Sequence, residues 1–284
     1  ALFAPWAASD GIPGTVADIP ALQGLPTLRG LAAMEPEDVA AGPALAELRA
    51  LAKAHAQGRI AALEELAAQC GQLALMDYDF LYDEKRHLLA IGYNVDERRR
   101  DLSCYDLLAS EARLATFVGI AQGRLPQESW FALGRLLTTA GGKPILLSWS
   151  GSMFEYLMPM LVMPSFEHTL LDQTCAAAVA RQMDYGRKRG VPWGISECGY
   201  NAIDMNRNYQ YRAFGVPGLG LKRGLAEDLV IAPYATVMAL MVAPLAACRN
   251  LLRLAEDGYE TRFGFYEAID FTPSRLPRGQ TSAV

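Results

Sequence analysis

The chain has 284 residues, of which half are apolar and a fifth are charged, so it can bury a full core like an ordinary globular protein. Its net charge is −5, and its one basic cluster, at residues 98–100, is flanked by acidic residues. This balance argues against a nucleic-acid partner. The five cysteines are scattered and form no CxxC pair, so we expect no disulfide framework, no bound metal and no cofactor.

Membrane signals are weak along the whole sequence. A spanning helix needs about 18 or more apolar residues, whereas the best candidate, residues 153–164, is shorter and carries Glu155. The amino end lacks the basic leader of a signal peptide. We therefore predict a soluble segment that does not itself insert into a membrane.

The amino-acid composition changes once within the first third of the chain, after residue 36. Prolines and glycines crowd residues 1–36, which predicts an irregular N-terminal arm ahead of a single domain over residues 37–284. Residues 37–75 are rich in Ala, Leu and Glu at helical spacing, which predicts one long helix or a helical hairpin. Two short apolar runs across a polar turn, at residues 80–93, predict a small β-hairpin.

Helical patterns dominate the remainder of the chain. Six further helices are predicted, over residues 105–122, 127–137, 153–163, 169–187, 233–241 and 243–254. Loops rich in glycine and aromatic residues separate them, at residues 141–152, 191–224 and 258–275. Many helices with aromatic loops on one rim are typical of an α/α toroid, so we predict a mainly α fold.

Glu111 is a carboxylate at an unexpected place in this pattern. In the predicted helix over residues 105–122, its neighbours three, four and seven positions away are apolar: Leu107, Leu108, Leu114, Ala115 and Val118. A carboxylate on an apolar face must be paired, hydrogen-bonded or raised in pKa, and a raised pKa is what a general acid requires. A general acid and a structural salt bridge are equally consistent with this pattern.

Three more glutamates lie in aromatic or apolar surroundings. Glu155 lies in an almost wholly apolar helix, where it either caps a neighbouring loop or faces a polar, substrate-binding cavity. Glu197 lies in a loop whose aromatic and amide side chains, including Trp193, Tyr209 and Tyr211, suit a sugar, although a loop packed by its own rings is also possible. Glu267 lies between aromatic residues, and it is either a substrate-binding residue or a solvated glutamate.

One buried and one open glutamate are the environments that push the pKa values of two carboxylates apart. A glycosidase uses such a pair across an acetal, and the distance between the two carboxylates decides between retention and inversion, which the sequence leaves open. The glycines at 218, 220 and 224 resemble a phosphate-binding loop, but their spacing fits no nucleotide motif, so nucleotide binding is not predicted.

Several segments together resemble the glycoamylase-like middle domain of bacterial cyclic β-1,2-glucan synthases. They are YDLLASEARLA at 105–115, SWSGSMFEYLMP at 148–159, VPWGISE at 191–197, NYQYRAFGVPGLGLKRG at 208–224 and GFYEAIDFTPSRLP at 264–277. The resemblance implies an (α/α)6 barrel related to β-1,2-glucanases. Family members continue beyond this sequence into further helices, so we expect a fragment whose barrel is incomplete at its C-terminal end.

The resemblance also implies an activity. Such a domain cuts linear β-1,2-glucan and rejoins it as a ring by retaining transglycosylation, with Glu111 as acid/base, acting directly or through a substrate hydroxyl, and Glu197 as nucleophile. We expect Glu155, Trp193, Tyr209, Tyr211 and Glu267 to line the groove. The expected partners are β-1,2-linked glucan and the other domains of a parent synthase, which is held on the cytoplasmic side of the inner membrane.

Two rival functions fit the same residues. An endo-β-1,2-glucanase would use the same carboxylates with water as acceptor. A non-catalytic glycan-binding module would use them only as hydrogen-bond acceptors.

Overall fold

The computed structural model describes residues 26–34 and 43–284, and the chain divides into two compact units, residues 1–77 and 78–284. Most of the predicted N-terminal arm lies outside the described residues, and so does the predicted domain boundary at residue 36. Across the described ranges, no helix has the length and apolar character that a membrane crossing requires.

The first unit contains two helices that pack against each other. Helix α1 (Leu28–Ala32) begins where the Thr27 hydroxyl accepts a hydrogen bond from the Gly30 amide at 3.0 Å, so this part of the predicted irregular arm is helical. Helix α2 (Pro43–Leu73) is continuous over 31 residues. Within the predicted segment 37–75, residues 43–73 are therefore confirmed as one long helix rather than a hairpin, and residues 37–42 lie outside the described residues.

The second unit opens with two short antiparallel hairpins. Strand β1 (Tyr82–Asp83) pairs with β2 (Leu88–Leu89), which confirms the predicted hairpin. Strand β3 (Tyr93–Asn94) pairs with β4 (Arg99–Arg100). The second hairpin was not predicted, because residues 94–100 are almost wholly polar and contain no apolar run.

The helices of the second unit confirm the predicted mainly α fold. They are α3 (Ser110–Ala121), α4 (Glu128–Ala132), α5 (Met153–Leu157) followed by the 3-10 turn Met158–Leu161, α6 (Leu170–Arg189), α7 (Pro233–Met238) followed by the 3-10 turn Ala239–Met241, and α8 (Pro244–Glu256). Small two-stranded sheets connect them, and the described residues form no closed barrel.

Four further strand pairs lie between or after these helices. They are β5 (Leu137–Ala140) with β6 (Lys143–Leu146), β7 (Cys198–Ile203) with β8 (Tyr209–Arg212), β9 (Val230–Ile231) with β12 (Ile269–Asp270), and β10 (Glu260–Thr261) with β11 (Gly264–Phe265). A 3-10 turn, Pro273–Arg275, follows β12.

Two predicted element boundaries are wrong. The helix expected over residues 127–137 ends at Ala132, and Leu137 already belongs to β5. The helix expected from residue 105 begins only at Ser110, because the Asp106 carboxylate accepts hydrogen bonds from the amides of Leu108 and Ala109 at 2.8 and 3.1 Å. Such a side-chain turn competes with helix formation.

The core of the second unit surrounds the fully buried Tyr156 of α5. Its hydroxyl donates to the Leu219 carbonyl at 2.7 Å, which links α5 to the segment that follows β8. That segment runs beside residues 148–151, since the Ser148 amide donates to Leu219 at 3.0 Å and the Leu221 amide donates to Ser148 at 3.0 Å. Two distant parts of the chain are thus paired in parallel at the centre of the unit.

Glycines make this close pairing possible. A Cβ atom at Gly215 would lie 1.8 Å from the Ser150 carbonyl oxygen, and one at Gly220 would lie 2.6 Å from the Gly151 amide nitrogen. Of the three glycines that resemble a phosphate loop in the sequence, Gly220 therefore allows two backbones to approach.

Substituting Gly215→Ala tests this account. We expect it to lower the free energy of unfolding by about 3 kcal/mol, and Tm by roughly 6–12 °C, because the new methyl group meets rigid backbone atoms. Gly134→Ala is the matched control, since its Cβ would meet Asp106 Cβ at an ordinary 3.4 Å. Thermal unfolding of the two variants measures the difference, and similar Tm values for both would contradict the account.

Candidate active site

Glu197 lies half-buried at the end of a rigid stretch of backbone. Two residues earlier, the Ile195 amide and carbonyl are both bound by the buried Gln182 side chain, at 2.8 and 2.7 Å. The Tyr234 hydroxyl donates to the Glu197 carbonyl at 2.8 Å. Strand β7 begins at the next residue, so the backbone that carries Glu197 is fixed on both sides.

The structure brings three of the predicted glutamates together. Burial raises the pKa of Glu197, and the negative charges of Glu111 and then Glu155 raise it further. These two carboxylates belong to α3 and α5, far from Glu197 in the sequence. Like charges around a half-buried carboxylate favour its protonated form, which is the state a general acid needs.

The predicted burial of Glu111 is wrong. Its side chain is exposed, because α3 begins at Ser110 and the apolar residues Leu107 and Leu108 lie before the helix rather than on its face. Glu111 is instead in the first turn of α3, where the Ser110 hydroxyl donates to its Oε2 at 3.0 Å. The free N–H groups at the N-terminal end of a helix carry partial positive charge, which attracts an acidic side chain at this position.

Glu155 is held by three serines. Its carboxylate accepts hydrogen bonds from the Ser148 hydroxyl at 2.9 Å, from the amide and hydroxyl of Ser150, and from the amide and hydroxyl of Ser152, both at 3.1 Å. Ser152 and Glu155 also form the capping box of α5. The carboxylate therefore acts as a cap for the loop at 148–152, which leaves it little capacity to bind a substrate.

The hairpin of β7 and β8, which follows Glu197, holds Tyr209, Tyr211 and Glu267. The Gly199 amide of β7 donates to Glu267 Oε1 at 3.0 Å, and Tyr211 of β8 lies opposite Gly199. Burial raises the pKa of Tyr211, and the charges of Glu197 and Glu267 contribute. Tyr209 and Glu267 also line a cavity of about 320 Å³. The hairpin of β7 and β8 was predicted as loop, and it brings Tyr211 close enough to Glu197 for the two to interact electrostatically.

Trp193 does not lie with the other predicted groove residues. It is 8% exposed in the core, and its backbone amide donates to the Asn250 side chain at 3.1 Å while its carbonyl accepts from the same side chain at 2.8 Å. A ring packed on both faces by the core cannot stack on a sugar. The sequence pattern could not distinguish this tryptophan from an exposed one in a glycine-rich loop.

Two residues near the glutamates were not predicted. Tyr234 is hydrogen-bonded to the Glu197 carbonyl, and burial raises its pKa well above the ordinary value for tyrosine. Asp106 is half-buried, and burial raises its pKa, to which the charge of Glu155 adds. The only sequence signal for Asp106 is an Asp placed just before a helix, where a turn is common. No group of three or more His, Cys, Asp or Glu within the described ranges could hold a metal ion.

The charge coupling in this cluster can be measured directly. We expect Glu111→Gln to lower the pKa of Glu197, because one of the two negative charges that raise it is removed. Titration of glutamate side chains labelled with ¹³C, followed by NMR, reports the pKa.

Glu267→Gln is the matched control. Its charge does not contribute to the shift of Glu197, and a glutamine oxygen can still accept from Gly199. An unchanged pKa of Glu197 in Glu111→Gln would show that the two carboxylates are not coupled.

The second unit contains a long segment that matches a model of a known protein family. Residues 104–281 match the family model Glycoamylase, described as a putative glucoamylase. Over 209 residues the chain is 52% identical to the cyclic beta-(1,2)-glucan synthase NdvB of Rhizobium meliloti (strain 1021), a match that covers 74% of this chain and 7% of the synthase. The chain thus spans a small part of that relative's length.

Two solved structures resemble the chain at 14% sequence identity. An endo-beta-1,2-glucanase from Chitinophaga pinensis, solved with sophorotriose and glucose, has a TM-score of 0.51, and the match covers 86% of this chain and 58% of that one. A putative glucoamylase from Bacteroides uniformis ATCC 8492 gives 0.49 with the same coverage. The first likeness shows the fold, and the family match over most of the second unit shows that the chain belongs to the glycoamylase family.

Proposed function

We propose that the second unit processes β-1,2-linked glucan, cutting a linear chain and joining its ends into a ring by retaining transglycosylation. One observation carries the proposal: Glu111 and Glu197, two carboxylates in different environments, are close enough for the charge of one to act on the other. Exposed tyrosines lie on the strand that pairs with the one after Glu197. The identity to a cyclic β-1,2-glucan synthase supports the substrate and the cyclisation. The family match supports a glycoside-processing reaction.

Glu197 and Glu111 differ in burial. This difference supports catalytic roles opposite to those that the resemblance implies. Glu197 is half-buried with a raised pKa, so it suits the proton donor. Glu111 is exposed at the N-terminal turn of α3, where the Ser110 hydroxyl orients its carboxylate, so it suits the nucleophile. Glu155, whose oxygens are occupied by serines, serves as the fixed negative charge that helps Glu197 to keep its proton.

The reaction then has two balanced steps. First, the Glu111 carboxylate attacks the anomeric carbon, the bond from that carbon to the 2-oxygen of the next glucose breaks, and Glu197 gives its proton to the departing oxygen. Second, Glu197 takes the proton from the free 2-hydroxyl at the other end of the same chain. That oxygen attacks the anomeric carbon, and the ester to Glu111 breaks. Water in place of the hydroxyl would give hydrolysis.

We propose that three residues beside the catalytic pair contact the substrate: Tyr209, Tyr211 and Glu267. The exposed rings of Tyr209 and Tyr211 suit stacking against sugar CH groups, and the free oxygen of Glu267 suits a hydrogen bond to a hydroxyl. Trp193 is not included, because it is buried. We further propose that the segments that make the linear chain belong to other parts of a parent synthase on the cytoplasmic side of the inner membrane.

Incubation with linear β-1,2-glucan tests the activity. We expect mass spectrometry to detect products lighter by one water than linear chains of equal length, because ring closure leaves no free reducing end. Glu111→Gln and Glu197→Gln should each lower the rate by at least about 100-fold. Glu256→Gln, an exposed glutamate at the end of α8, is the control and should keep full activity.

The rival functions predict other products. Shorter linear chains alone would indicate an endo-β-1,2-glucanase. Binding of the glucan without turnover, and undiminished in both variants, would indicate a glycan-binding module.

Azide distinguishes the roles of the two glutamates. An aryl β-glycoside of a β-1,2-linked disaccharide has a leaving group that needs no proton, so Glu197→Ala should still form the ester on Glu111. Azide then attacks that ester and gives the β-glycosyl azide, with retention. Glu111→Ala lacks the nucleophile, so azide attacks the substrate directly and gives the α-azide, with inversion. The reverse pattern, read by proton NMR, would restore the roles that the resemblance implies.

A further inference from the structure

A second, smaller pocket lies between α3, the 3-10 turn after α5 and the start of α6, and the proposed reaction does not use it. Its volume is about 60 Å³. Most of its wall is apolar and comes from Pro159, Met160, Met163, Pro164, Phe166 and Leu171. Arg113 is the one charged residue in its lining.

Arg113 is 3% exposed, and its guanidinium is incompletely bonded. One terminal nitrogen donates to the Glu155 carbonyl at 3.0 Å, whereas the buried Nε–H has no partner. Among the described residues, no carboxylate lies within ion-pair distance of Arg113, and Asp106 acts on it only through longer-range attraction. Burial lowers the pKa of Arg113, yet a guanidinium stays charged in proteins. A buried cation without a counter-ion is costly, so the site favours an anion.

The other polar groups of the pocket leave one further donor. The Thr169 hydroxyl donates to the Phe166 carbonyl at 2.8 Å and accepts from the Asp172 amide at 3.3 Å. The Cys175 thiol faces the Tyr156 carbonyl at 3.4 Å. Ser165 is exposed, and within the described ranges its hydroxyl has no protein partner. The available donors are therefore the Arg113 N–H groups that do not bind the Glu155 carbonyl, the buried Nε–H among them, and the hydroxyl of Ser165.

We propose that this pocket binds a small aliphatic monocarboxylate such as propionate. The carboxylate pairs with Arg113, and the short alkyl chain lies against the apolar wall near Met160 and Leu171. The volume admits only a few heavy atoms, and the apolar wall suits a short alkyl chain better than the further charged oxygens of a phosphate. Because Arg113 also holds the Glu155 carbonyl, the bound anion would stabilise the contact between α3 and α5. The proposal does not depend on the glucan reaction.

Thermal unfolding with sodium propionate tests the site. We expect a saturable rise in Tm of about 3 °C at ten times the dissociation constant, because the ligand binds only the folded chain. Sodium chloride at equal ionic strength and neutral propionamide should give no saturable rise. The rise should disappear in Arg113→Met, which removes the cation.

A second variant keeps the test decisive if Arg113→Met does not fold. Leu171→Phe fills the pocket while Arg113 stays in place, so it too should abolish the rise. Leu245→Phe, at an exposed position of α8, is the matched control and should respond like the parent. The proposal is overturned if the parent shows no saturable rise, if propionamide gives an equal one, or if Leu171→Phe retains it.

Discussion

The binding of the Glu155 carboxylate by the serines of residues 148–152 is the interaction on which the rest of the second unit depends. The hydroxyls and amides of these serines turn the loop tightly around one side chain and start α5 at the next residue. The same loop pairs with residues 219–221, so the cap also fixes the segment that follows β8. A local capping motif thereby joins parts of the chain that are distant in sequence.

This structural role has an electrostatic consequence. Five hydrogen bonds hold the Glu155 carboxylate at a fixed place, and from there its charge adds to the burial that raises the pKa of Glu197. Glu111, at the first turn of α3, adds a second charge. Glycoside chemistry needs one protonated and one ionised carboxylate, and the difference in burial between Glu197 and Glu111 supplies the asymmetry.

A second network anchors the hairpin of β7 and β8. Arg275 forms two hydrogen bonds with the buried Asp270 and another with Asp228, and its guanidinium lies 4.9 Å from the centre of the Tyr200 ring in β7. Asn201, also in β7, bonds to the Arg275 carbonyl at 2.8 Å. The hairpin that carries Tyr209 and Tyr211 is therefore anchored by paired charges that are largely shielded from water.

The amino-acid pattern predicts the mainly helical fold, the long α2, the first hairpin and the four glutamates of interest, because helical spacing and carboxylates in apolar surroundings are local signals. Four other features emerge only in the folded chain: the start of α3, the exposure of Glu111, the packing of Trp193 in the core and the pairing of β7 with β8. Most of these depend on contacts between distant segments, since Asn250 binds the backbone of Trp193 and the charges of Glu111 and Glu155, on α3 and α5, act on Glu197. The start of α3 depends on a local turn at Asp106, which competes with a helix that the spacing also allows. A periodic pattern along one segment contains no information about which other segment will cover it.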